Sequence, residues 1–325
     1  MKNRRKHLLC LSFVFILLLS FLDLYIYKLR FITFRPMPDL EYKLDIIKQS
    51  ENKFYNIESL RNLVGETELI EFIKEQNSNP SIYTPSIENI EQGKYRATLH
   101  MHTINSDGKM TVKEVLDRAQ KYAQKYIPDN GYMYIAITDH NTVWGAKEVV
   151  QVLERNPFKY NRIKVIPGIE IFTKYNNSEV ASHPIEIHVL TWCINPYNPY
   201  LTNEFWKNSY ENKWNRNYPD RDFDWTIKTM SEYGIVGIAH PARYNVWLKE
   251  KKYAYITEML TRYKSLTNKL AFVEGYYQSY HKLPEKDELA LEYDEYLKYI
   301  IEEANRLGIY NTGSVDAHHH SIFYQ

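Results

Sequence analysis

The stretch Leu99-His100-Met101-His102-Thr103-Ile104-Asn105-Ser106-Asp107-Gly108 (LHMHTINSDG) is where the fold of this chain first becomes legible. It ends an apolar run with two histidines one residue apart. Side chains alternate along a strand, so residues i and i+2 share a face. His100 and His102 are therefore expected to point two imidazoles at one place, which suits two ligands of one metal ion. Asp107 follows in the loop beside Gly108, which is expected to free the chain to turn. Helix signals begin at Thr111, and taken alone Asp107 reads as a turn residue.

The same texture repeats downstream. Strands are expected over 95–103, 132–138, 163–172, 185–194, 235–240, 272–277 and 309–314, and helices near 111–127, 142–155, 222–233, 251–268 and 286–307. Strands alternating with helices, many of them near-continuous apolar runs, predict parallel β/α units buried on both faces. Seven such units predict a barrel or a large open sheet. In β/α barrels the chemistry sits at the C-terminal ends of the strands. Candidate ligands fall there: His100 and His102, then His140 after YIAIT, Glu170 in VIPGIEIF, His188 in IEIHVL, His240 in IVGIAH, and the pair Asp316 and His318. An acid inside an apolar run is costly to bury unless it is paired or binds a metal. Each residue alone reads as an ordinary packing or ion-pair residue. Packing histidines have no reason to choose the same strand end repeatedly, and the joint pattern points to metal.

In order and at plausible spacing, HMHTINSDG, ITDHN, PGIE, IHVL, AHP and DAH resemble the motifs of the polymerase and histidinol phosphatase (PHP) family, over about residues 94–320. The resemblance implies a distorted seven-stranded β/α barrel, up to three divalent metal ions and phosphoesterase activity. It implies that His100, His102, Glu170 and Asp316 hold one ion. Glu170 bridges to a second, completed by His188 and His240, and Asp107, His140 and His318 hold a third. Val315 lengthens the family's usual closing motif by one residue, and His319 and His320 read as surplus. His183 sits at the wrong end of its strand to be a candidate. Asp139 is expected to orient His140 or to cap the following helix.

Other residues extend the expected site. Glu170 and Asp316 are its catalytic carboxylates, and Arg243, after AHPA, is placed to clamp a phosphate oxygen. A surface arginine is the equal alternative. Glu274 in FVEGYY reads either as a partner of a ligand or as a core ion pair. Trp206, Tyr210 and Trp214 recur every four residues, a stripe that reads as core packing or as a lid. No serine or cysteine nucleophile with a histidine base is evident, and metal-assisted hydrolysis needs none. Imidazole with carboxylate suits Zn, Mn or Fe.

The 325 residues carry a formal net charge of +1, so there is no global field to draw nucleic acid or anionic lipid. Two cysteines, Cys10 and Cys193, make no disulfide framework. Ahead of the barrel, Lys2, Arg4, Arg5 and Lys6 precede an apolar run from Leu8 that continues past Asp23 to Tyr27. A bilayer-spanning helix needs about 20 apolar residues. Residues 1–30 are expected to be an uncleaved single-pass anchor with the rest of the chain extracytoplasmic. The alternative is a cleaved signal peptide and a secreted chain, although such apolar regions usually span ~7–15 residues. Residues 31–93 read as a helical stalk or small cap ending in a linker, with Leu60, Leu63 and Val64 at helix-like spacing, and 94–325 as the catalytic domain.

The function expected is metal-dependent hydrolysis of a small phosphate ester, mono- or diester. A metal-dependent hydrolase of a non-phosphate bond, amidohydrolase-like, and a non-catalytic metal-binding protein are the alternatives.

Overall fold

The computed structural model describes residues 60, 62–78, 97–176, 184–206, 221–242, 252–277, 288–314 and 316–318. All of them belong to one compact unit, Asn56–Gln325. The elements run α1 (Glu66–Ser78), β1 (Ala97–Thr98), α2 (Val112–Tyr126), β2 (Met133–Ile137), α3 (Trp144–Arg155), β3 (Ile163–Tyr175), β4 (Ile185–Trp192), α4 (Pro199–Trp206), β5 (Arg221–Asp222), α5 (Phe223–Ser231), β6 (Ile235–Ile238), α6 (Lys252–Leu266), β7 (Phe272–Tyr277), α7 (Glu288–Arg306) and β8 (Tyr310–Ser314).

Seven strands pair in the order β1-β2-β3-β4-β6-β7-β8, with β5 added beside β3. The sheet curls until its first and last strands nearly meet. There Met101 pairs with Ala317, through His102 N–H to the Ala317 carbonyl at 3.0 Å and Ala317 N–H to the His100 carbonyl at 3.2 Å. The result is a nearly closed mixed α/β barrel with outer helices.

One expectation is corrected. The strands are not all parallel: β4 runs antiparallel to both β3 and β6. A run of apolar residues reports burial on both faces and carries no sign of strand direction. Only residues 176–184 link β3 to β4, fewer than the roughly dozen residues that a crossover to a parallel neighbour requires. The rule that places chemistry at strand C-terminal ends fails here too. His188 lies in the first half of β4, opposite Phe172 of β3.

The helices follow local chemistry. Thr111 caps α2, its hydroxyl accepting from the Glu114 N–H while the Glu114 carboxylate accepts from the Thr111 N–H. Asp222 caps α5 through the Trp225 N–H. The apolar faces of α2 and α3 pack on β2 and β3 around Val115, Leu116, Val149 and Leu153. A second outer layer sets α5, α6 and α7 against β3, β4, β6 and β7. The segment Pro199–Trp206, outside the expected helices, forms α4 and buries Leu201 and Phe205.

The barrel interior has two halves, and β3 shows both. Ile166 and Glu170 lie on one face, four residues apart. Ile166 belongs to an apolar plug with Leu99, Ala136, Leu190, Trp192 and Phe272, while Glu170 belongs to the polar site. Trp192 and Phe272 stack at 3.7 Å within the plug. Gly237 makes room for them, because a β-carbon there would collide with the Phe272 ring.

The described part of the segment expected as stalk or cap packs on this plug. Leu63 pairs with Val165 as a short bridge rather than in a helix. The helix α1 then buries Leu69 and Ile73 completely and stacks Phe72 on Tyr134 at 4.1 Å. Asn77 donates to the Asn311 carbonyl and accepts its N–H, standing in for a strand partner. The expected anchor, residues 1–30, lies outside the described residues. Among those described, no helix is long and apolar enough to cross a membrane.

Candidate metal centre

Nine of the side chains singled out in the sequence meet in one cluster: His100, His102, Asp107, His140, Glu170, His188, His240, Asp316 and His318. Arg243 lies outside the described residues, as do His183, Val315, His319, His320, Tyr210 and Trp214.

The seam between Met101 and Ala317 sets two ligand pairs side by side, His100 and His102 against Asp316 and His318. The His318 ring stacks on His102 at 4.3 Å. Next, β2 continues its pairing with β3 to His140, opposite Glu170. Asn141 ends it in the left-handed region, at φ 51°, with its side chain accepting the Phe172 N–H. His240 and Asp316 also take left-handed backbones, at φ 25° and 44°. Non-glycine residues are held there at a cost of order 1–3 kcal/mol each, and such strain collects where side-chain placement matters more than local comfort.

Glu170 is the hub. Its Oε2 lies 3.0 Å from His100 Nε2, 3.1 Å from His102 Nε2 and 2.8 Å from His140 Nδ1. Its Oε1 lies 2.7 Å from His188 Nδ1 and 3.0 Å from His240 Nε2. The Asp316 Oδ1 is 3.1 Å from His102 Nε2 and 3.6 Å from His100 Nε2. At the outer side, Asp107 Oδ1 is 3.1 Å from His318 Nε2, and Oδ2 is 3.6 Å from His140 Nε2. Each of the three expected ligand sets is thus brought together. The atoms also admit overlapping groups: His100, Glu170, His240 and Asp316; His140, Glu170 and His188; and His102, Asp107, His140 and His318, all within 4.8 Å. His102 belongs to two neighbourhoods because its Nε2 faces inward and its Nδ1 lies 3.8 Å from Asp107.

This donor set fits divalent metal. His100 Nε2 and His102 Nε2 stand 3.0 Å apart with carboxylate oxygens around them and no exposure to solvent. Ligands at ~2.0–2.2 Å from a shared ion stand roughly 3 Å from one another. Six imidazoles and three carboxylates, with no lysine or arginine among them, match a borderline cation.

Their charges are strongly coupled. Burial opposes the charge on Glu170, but His100, His140 and His188 outweigh it and hold the carboxyl well below its usual range. Burial likewise works against a charged His102, yet its hydrogen bonds to Asp316 and Glu170 raise it to about 10. In His140 burial wins and lowers the imidazole to about 4. Asp107 is lowered as well: its burial is overcome by His318, His140 and His102.

The loop that carries Asp107 is held by a residue given another part in the sequence. Asp139 neither orients His140 nor caps α3, whose N-cap, Val143, makes no side-chain hydrogen bond. It accepts instead from the Thr103 N–H at 2.6 Å, the Thr103 hydroxyl at 2.7 Å and the Ser106 hydroxyl at 2.7 Å. Gly108 is likewise needed for space: its φ is not positive, and a β-carbon would strike the His102 carbonyl. Sequence reasoning also missed Phe172, whose ring packs at 4.5 Å from His140 and 4.3 Å from His188. Its position two residues after Glu170, on the same strand face, was the available signal.

A family model described as the PHP domain matches residues 98–324. Among curated proteins, DNA polymerase/3'-5' exonuclease PolX of Bacillus subtilis (strain 168) is 28% identical over 108 residues. That match covers 30% of this chain and 18% of the relative, so the chain spans less than a fifth of that protein.

Proposed function

This chain belongs to the PHP domain family, whose members are metal-dependent phosphoesterases, and on that premise we propose that it hydrolyses a small phosphate ester with divalent metal ions. The observation that carries this reading is the convergence of nine His, Asp and Glu side chains into overlapping groups around Glu170.

When bound, divalent ions acidify water and polarise a phosphoryl oxygen. The residues that would hold them are the nine of the cluster, in three overlapping sets, two of them sharing Glu170 and the outer one joined to these through His140. What the chain itself provides is a graded site. The side chains of His100, His102, His240 and Glu170 are wholly buried, whereas His140, His318 and Asp107 are 14%, 22% and 36% exposed. The Asp107 side is therefore the approach for substrate. Phe172 packs across His140 and His188, fixes both rings and keeps water off that flank. Asp139, through Thr103 and Ser106, holds the Asp107 loop over the opening. Arg243 is proposed as a phosphate contact, and residues 1–30 as a membrane anchor with the barrel extracytoplasmic.

The test is a panel of phosphomonoesters and phosphodiesters, with amide and lactone substrates beside them. Each is assayed with Mn, Zn or Fe after chelation, in wild type and His100→Ala. Metal-restored turnover of a phosphate ester that is lost in His100→Ala is expected. Turnover confined to amides or lactones would replace the phosphoesterase reading with the hydrolytic alternative. Equal activity of both proteins at full metal content would remove the site assignment.

A further inference from the structure

Glu274 is a buried carboxylate that reaches into the centre without being one of its nine expected ligands. It lies on β7, fully buried, opposite Thr312 and immediately before a register shift between Glu274 and Tyr276. Irregularities of this kind re-aim a strand side chain. Both Glu274 oxygens stand 3.1 Å from His100 Nδ1, and Oε2 also accepts the His240 backbone N–H at 2.9 Å. An isolated buried carboxylate is costly, and the partners it has found are groups belonging to two residues of the cluster.

Each contact fixes something different. A carboxylate only accepts, so the His100 proton belongs on Nδ1 and the lone pair on Nε2. Nε2 is the atom that faces Glu170 Oε2 at 3.0 Å. His240 holds a left-handed backbone at φ 25°, which needs an outside restraint, and its captured N–H supplies one. Its Nε2 is thereby kept 3.0 Å from Glu170 Oε1.

We propose that Glu274 is a positioning residue: it presets the tautomer of His100 and the backbone of His240 together, so that both rings serve the ion of the His100, Glu170, His240 and Asp316 group. This rests on the metal-dependent function proposed above. Carboxylates behind ligand histidines fix ring orientation and raise ligand basicity, and their loss typically costs about 10–100-fold in metal affinity.

The test uses the full chain, stripped with chelator and titrated with Co2+, as wild type, Glu274→Gln and Glu274→Ala. Gln keeps the size but has one accepting oxygen where two contacts need acceptors. Expected for Gln is a loss of about 10–100-fold in the tightest Co2+ affinity with a changed visible spectrum. Its metal-free melting temperature should fall by less than its Co2+-loaded one, so that the rise in melting temperature on Co2+ addition shrinks. A purely structural role lowers the metal-free and metal-loaded melting temperatures equally and leaves affinity and spectrum alone. That result in Gln overturns the proposal while the metal-dependent function stands, and Gln decides the matter should Ala fail to fold. A wild type that binds no divalent metal overturns both.

Discussion

The Oε1 atom of Glu170 lies 2.7 Å from Nδ1 of His188, across two strands that run in opposite directions. Antiparallel pairing puts Phe172 directly opposite His188 and Glu170 opposite Leu190, so the four share one face. Glu170 thereby reaches His188 on one side and His140 on the other. Replacing it with Gln removes the charge shared by two of the three overlapping groups. Glu170→Gln is expected to hold less metal than wild type and to lose at least about 100-fold in phosphoesterase rate. Elemental analysis beside the assay checks this, and full metal content in the variant would contradict it.

Asp139 is expected to matter for stability and for the mouth of the site together. Asp139→Ala leaves the Thr103 N–H and hydroxyl without their acceptor and takes the shortest acceptor from the Ser106 hydroxyl, and each buried orphan costs about 1–3 kcal/mol. Urea unfolding should show a loss near the middle of that range or above. The metal held near Asp107 should be lost more easily to chelator than the ions deeper in. An unchanged unfolding midpoint would show that water replaces the carboxylate.

The metal-free chain should be most stable near pH 6.5. His140 is lowered to about 4, so its contribution is present above 6.5 and is lost as pH falls toward 4. His102 is raised to about 10, so its contribution is complete below 6.5 and disappears as pH climbs toward 10. Glu170, lowered, adds to the acid-side loss. Chelated protein unfolded by urea across pH 4 to 10 should trace a maximum, with each flank worth on the order of a few kcal/mol. A plateau up to pH 10 would sink the assignment of charge to His102.

The packing of α1 against the barrel plug can be tested directly. Leu69 is completely buried among plug residues, so Leu69→Ala should cost about 2–5 kcal/mol in unfolding free energy. A change below about 0.5 kcal/mol, the size of an ordinary surface substitution, would mean that α1 is detachable.

Much of this was legible in the residues, for identifiable reasons. The apolar runs with acids or histidines inside them mark strands, because a buried polar group in an apolar run has to be explained. The T-V-K-E start of α2 is a capping box and can be read directly. The direction of β4 was not legible, because apolar strands look alike either way. Leu63 and Val64 sit at helical spacing yet serve a bridge, since the edge of β3 offered the Val165 N–H and carbonyl groups. Asp139 was misjudged because its partners, Thr103 and Ser106, come from a loop over 30 residues earlier whose path no local pattern reveals. Glu274 left two possibilities open, and only its distances to His100 and His240 separate them.

The seam between Met101 and Ala317 also sets a schedule. About 200 residues of chain separate its two sides, a separation that makes closure a late folding event. At roughly 5–20 residues per second on a ribosome, His100 and His102 wait about 10–40 s before Asp316 and His318 are made. A growing chain therefore offers scattered histidines rather than a closed cage. The centre is expected to acquire its ions only after Asp316 and His318 have been synthesised, from whatever metals the compartment of the finished barrel supplies.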